Sequence, residues 1–148
     1  MRVDFYNLTR APASGQVEAV LPLIARNTLN AGQRLLVVAE PDQFDHLSDA
    51  LWTRLPDSFL AHGRAGDPHE TRQPILLSAA TAPANGARYV ALADGVWREE
   101  ALAFDRAFLL FGDTTIVAAR AVWRDLGTHT DLDRHLWKQD GGKWQEAG

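Results

Sequence analysis

Residues 33–66, QRLLVVAEPDQFDHLSDALWTRLPDSFLAHGRAG, place a short apolar run beside an amphipathic helix. Leu35, Leu36, Val37 and Val38 offer no polar face, which is the pattern of a strand covered on both sides. Glu40-Pro41 ends that run. Proline suits a first helical turn because its missing N–H would be unpaired there anyway, and Asp42 and Asp45 put negative charge near the positive end of the helix dipole. Phe44, Leu47, Leu51 and Leu55 follow at spacings of three and four, so one face of the helix is apolar and buried. Pro56 closes the helix. Asp57 to Gly66 is then expected to cross back as a loop carrying Phe59 and His62.

Working outward, Arg2 to Leu8 alternates and is rich in aromatic and branched residues, as a strand requires. Ser14 is placed to cap a helix whose apolar positions Val17, Val20, Leu21, Ile24 and Leu29 hold helical spacing until Gly32 closes it. Pro22 lies inside this pattern and costs stability unless the helix begins near it or bends. After the central unit, residues 63–73 are polar and form an exposed connection. Strands are expected at Pro74–Ser78, Arg88–Leu92 and Ala107–Phe111, a short helix at Val96–Phe104, and a helix from Thr114 to Leu126 closed by Gly127. Alternating strands and helices predict one three-layer α/β/α domain over residues 1–148, Rossmann-like, with a mostly parallel mixed sheet and no nucleotide-binding motif. Thr128 to Gly148 reads either as an edge hairpin, with Gly141-Gly142 at the turn and Trp137 and Trp144 on its arms, or as a frayed tail.

With 148 residues the chain can bury roughly two-thirds of its unfolded surface in one core. Cysteine is absent, which removes disulfides, thiol nucleophiles and thiolate metal sites and suits a reducing cytoplasm. No segment has signal-peptide or membrane-spanning character. The net charge of −4 disfavours tight, direct gripping of DNA, because such proteins usually carry a basic surplus that neutralises phosphates. Contact with other proteins remains open to such a chain.

The helix from Thr114 is the candidate functional surface. At about 100° per residue, Thr115, Ala118, Ala119, Val122 and Leu126 share the face expected to be buried. Ile116, Arg120, Trp123 and Gly127 form the neighbouring stripe, with Val117 and Arg124 on its far side. An indole flanked by two guanidinium groups suits an acidic peptide with an apolar end. The plainer alternative is that Trp123 fills the core and both arginines are merely solvated.

Three pieces of sequence, in order, resemble the chi subunit family of bacterial DNA polymerase III holoenzyme, an accessory protein of the clamp-loader assembly. They are Asp4-Phe5-Tyr6-Asn7-Leu8, Asp49-Ala50-Leu51-Trp52 running into Ser58-Phe59-Leu60-Ala61-His62, and Ala119-Arg120-Ala121-Val122-Trp123-Arg124. The resemblance implies a non-catalytic subunit that binds the acidic, phenylalanine-tipped carboxy-terminal tail of single-stranded DNA-binding protein and so touches DNA indirectly. Arg120 matches the family's basic position, Trp123 its aromatic one and Arg124 an adjacent basic one. Ile116 stands where some members carry a further basic residue, and Leu109 is expected to wall the pocket. The region around Phe59 is the part of the resemblance offered for docking a psi subunit.

Rival readings are weaker in pattern. A nucleotide- or small-ligand-binding enzyme would use the carboxyl ends of the parallel strands, near Glu40 and Asp94-Gly95. His62-Gly63-Arg64-Ala65-Gly66 lacks the Gly-Lys-Ser/Thr ending of a phosphate loop. Neither His62, Asp67, His69 and Glu70 nor His129, Asp131, Asp133 and His135 has a recognised metal-ligand spacing, and no serine sits in a nucleophile elbow. No cofactor, metal, catalytic residue or membrane contact is expected.

Overall fold

A computed structural model describes residues 1–9, 16–140 and 143–147. Ser14 as a cap and Gly141-Gly142 as a turn therefore lie outside the described residues. Strand β1 (Arg2–Asn7) leads to helix α1 (Gln16–Asn30) and β2 (Leu35–Val38). Helix α2 (Phe44–Thr53) is entered through a 3₁₀ turn at Pro41–Gln43, and β3 (His62–Arg64), β4 (Ile75–Ser78), β5 (Tyr89–Leu92) and β6 (Arg106–Phe111) follow. Helix α3 (Ile116–Leu126) precedes β7 (Asp133–Asp140) and β8 (Lys143–Glu146).

The strands form one sheet in the order β3-β4-β2-β5-β6-β1-β7-β8. All described pairings are parallel except β7 with β8. This is the α/β/α layering expected from the alternation of elements. Every residue of β2 is buried, and its side chains divide by parity. Leu35 and Val37 join the core under α1 and α2, whereas Leu36 and Val38 join the core on the α3 side. Each such aliphatic side chain contributes about 1.5–3 kcal/mol on burial, so two cores share one strand as their common wall.

Pro22 lies within α1 and is buried, so the helix runs through it with one backbone donor missing. Gly32 has φ +76°, the left-handed conformation needed to end α1. Gly95, with φ +75°, is required for a second reason: a Cβ there would lie 2.6 Å from Thr115 Oγ1 and 3.0 Å from the Leu110 carbonyl. It lets the turn after β5 press against the entry to α3.

Three expectations change. The Asp57–Gly66 return contains β3, which pairs with the outer side of β4; its partner is distant in sequence and its three residues, one of them glycine, carry no strand pattern of their own. The short helix over Val96–Phe104 is a 3₁₀ helix confined to Glu99–Ala103. Ala118 faces solvent, because α3 leans on the sheet through Ala119, Val122, Trp123 and Leu126.

Candidate protein-interaction groove

Helix α3 begins as a strand turns back over its own sheet. The Gly112 N–H donates to Thr115 Oγ1 at 2.9 Å, and the Thr115 carbonyl accepts the Ala119 N–H at 2.9 Å. Ala119 and Leu126 are then buried, and Ile116, Val122 and Trp123 are half-buried against the same core. Arg120 and Arg124 stand exposed beside Trp123.

Beneath this stripe the sheet leaves a groove of about 280 Å³. Its floor is Phe5 and Asn7 of β1 with Phe111 of β6; one wall is Ile116, Ala119, Arg120, Trp123 and Arg124 of α3; the other is Leu136 and Lys138 of β7. Register explains the convergence. Asn7 lies between Phe111 and Lys138, and Phe5 between Leu109 and Leu136, so alternate residues of three parallel strands meet on one face. Leu109, expected as a wall, is fully buried under the groove, and Phe111, two residues further along the same face, lines it instead.

Trp123 is held from two sides. Its ring meets Phe5 edge-on at 5.1 Å between centroids, and the Arg134 guanidinium lies 4.1 Å from the ring centroid. Arg134 Nη1 also donates to the Trp123 carbonyl at 2.5 Å, a second hydrogen bond to an oxygen that accepts the Gly127 N–H at 3.2 Å in the last turn of α3. Among the described residues neither Arg120, Arg124 nor Lys138 has a carboxylate partner. The groove therefore joins aromatic surface to cations whose charge is not already neutralised within the described chain.

Strand β7 is anchored from the opposite face. Asp4 is fully buried and accepts hydrogen bonds from Arg2 Nη2 at 2.9 Å, Arg106 Nε at 2.8 Å and Trp137 Nε1 at 2.9 Å. Burial pushes the Asp4 carboxyl up, but the Arg2, Arg106 and Trp137 hydrogen bonds outweigh it and hold the group below its ordinary range. Tyr6 and Trp137 stack on the same side. With Trp137 fixed there, Leu136 and Lys138 face the groove.

A second surface differs in kind. Phe59 is 81% exposed and Trp52 48%, with their centroids 5.7 Å apart. His62 packs on Trp52 at 4.5 Å. Its Nδ1 faces the Leu60 carbonyl at 2.8 Å and must carry the proton, leaving Nε2 of the neutral ring to accept from the Ser48 hydroxyl at 2.7 Å. Burial lowers the His62 pKa. Nearby Arg64 is paired with Asp45 at 2.7 Å, so its charge is already answered.

The rival ligand position is occupied by an internal pair. Arg98 binds Asp94 through two contacts of 2.8 and 2.9 Å, while Glu40 is exposed.

Residues 1–130 match the family described as DNA polymerase III chi subunit, HolC. The chain belongs to the chi subunit family of DNA polymerase III. That membership makes it an accessory subunit of the polymerase and places it in DNA replication. A search of curated proteins finds no match to it. The family match takes in β1, the Trp52–Phe59 region and all of α3, and ends before β7. The floor and the helix wall of the groove thus come from the chi-matched part, and the β7 wall, Leu136 and Lys138, from beyond it.

Sequence reasoning found Ile116, Arg120, Trp123 and Arg124, which share one helix. It missed Phe5, Asn7, Phe111, Leu136 and Lys138 as groove residues and Arg134 as the support of Trp123. Alternation marks each strand residue's face, but only the pairing of β1 with β6 and β7 brings them under α3. No described helix is long and apolar enough to cross a membrane.

Proposed function

We propose that this chi-family chain is a non-catalytic cytoplasmic adaptor that links the clamp-loader assembly to single-stranded DNA-binding protein by receiving that protein's acidic carboxy-terminal tail. The observation that carries the reading is the groove beside α3, where Trp123 and Phe111 offer flat apolar surface and Arg120 and Arg124 stand at its rim with no carboxylate partner among the described residues. A terminal phenylalanine fits the aromatic floor, and the tail's carboxylates fit the guanidinium groups, which present paired donors. Ile116 adds apolar contact without charge. Leu109 supports the floor from below.

Tethering is the mechanism. Each tail contact is weak, but single-stranded DNA coated by many copies presents many tails, which raises the local concentration of the polymerase without new chemistry. DNA contact is then indirect, in keeping with a net charge of −4. Phe59, with Trp52 beside it, is the surface proposed for psi or another clamp-loader partner, since an exposed aromatic pair is a natural anchor for an apolar docking segment.

Titrating a synthetic tail peptide tests the tail reading. Wild-type protein binds, and Arg120→Ala loses about 1.5–3 kcal/mol, roughly tenfold or more in affinity. Equal affinities for the two proteins remove Arg120 from the site, and no binding by wild type removes the reading.

A further inference from the structure

We infer that strand β7 is a working wall of the groove, with Arg134 positioning Trp123 and Lys138 supplying a third cation to an acidic peptide. This rests on the peptide-binding reading above and adds residues beyond 130, which the family match does not reach.

Arg134 contacts Trp123 twice, by stacking on the ring at 4.1 Å and by donating to its carbonyl at 2.5 Å. One guanidinium thus fixes both the backbone and the ring of a residue on another element. An indole already held in place loses less freedom when a ligand arrives. Gly127 makes room for this arrangement: a Cβ there would lie 2.8 Å from Arg134 Nη1. Lysine cannot substitute, because its ammonium lacks the planar face and the fork of donors.

Lys138 lies two residues beyond Leu136 on the same face of β7 and lines the groove opposite Arg120 and Arg124. Among the described residues no carboxylate lines that space. Cations on both walls favour an extended acidic chain running between them, whereas α3 alone would offer charge from one side.

The probe is a short acidic peptide ending in phenylalanine, titrated at low and moderate salt, alongside the same peptide ending in alanine. Lys138→Met is expected to weaken binding about threefold, the size of an exposed charge pair, and to flatten the salt dependence. Arg134→Met and the charge-preserving Arg134→Lys are each expected to weaken the phenylalanine peptide about fivefold while leaving the alanine peptide unchanged. Gly127→Ala, which displaces the guanidinium without removing it, should follow Arg134→Lys. Arg134 variants that weaken both peptides equally overturn the positioning role, and wild-type affinity with unchanged salt dependence in Lys138→Met overturns the third cation. If all β7 variants bind as wild type while Arg120→Ala fails, the inference falls and the peptide-binding reading stands. If wild type binds neither peptide, both fall.

Discussion

The groove beside α3 and the Trp52–Phe59 patch both present aromatic rings, but they are built on opposite principles. In the groove, Trp123 is half-buried and braced by Phe5 and Arg134, and the nearby cations lack carboxylate partners among the described residues. On the patch, Phe59 projects into solvent, and Arg64, two residues along β3 from His62, is paired with Asp45. The first arrangement suits a small charged ligand that needs a preformed receptor. The second suits an apolar partner that brings its own complementary surface, with little demand for charge. Coulomb attraction and apolar burial respond differently to salt, truncation and pH, so the two surfaces are separable by experiment.

Truncating the anchors gives the largest contrast. Phe5→Ala is expected to lower stability by about 3–5 kcal/mol, because it empties core volume under Trp123, whereas Phe59→Ala should change stability by no more than about 0.5 kcal/mol. Denaturant titration measures both, and similar losses would show that the two rings are not differently built in. For partner binding the order reverses. Phe59→Ala should cost about 2 kcal/mol or more against the apolar partner proposed for that face, while leaving the acidic peptide's affinity intact. Calorimetry with each ligand reads this directly, and cross-effects of similar size would merge the two surfaces.

Salt sharpens the distinction at smaller magnitude. Raising ionic strength shortens the Debye length to about 8 Å near 0.15 M, so peptide affinity for the groove should fall steadily. Binding at the Phe59 patch should hardly change. Parallel slopes in the two titrations would contradict the division of labour.

The smallest effect is in pH. Burial depresses the His62 pKa, so the stabilisation is complete above the unfolded value of about 6.5 and is lost as pH falls through that value toward the folded one. Thermal midpoints should therefore decline below about pH 6.5, and His62→Gln should flatten that segment. His135 has the opposite sign. Asp133, and then Glu146, raise its pKa, so its contribution is present below about pH 6.5 and fades as pH rises through the folded value. The exposure of both carboxylates and solvent screening keep that contribution small. Asp4 acts lower still, losing its stabilisation as pH falls below about 4.

Much of this chain was legible residue by residue. The run Leu35–Val38 announced a strand buried on both faces, and Phe44, Leu47, Leu51 and Leu55 announced the helix face packed against it. These patterns are local, because side-chain direction within one element follows from its own period. The α3 stripe was legible for the same reason. Strand β3 was not, since a three-residue edge strand is held by pairing with β4 rather than by its own preferences.

Sequence alone determined the layering of helices on a parallel sheet and the two arginines flanking one tryptophan, both consequences of backbone periodicity. Tertiary structure decided what that tryptophan faces. Phe5 and Leu136 lie at opposite ends of the chain, yet the parallel pairing of β1 with β7 sets them side by side beneath α3, and Arg134 reaches back to hold the ring. Register between distant strands depends on the packing of the whole sheet, and no local pattern of residues encodes it.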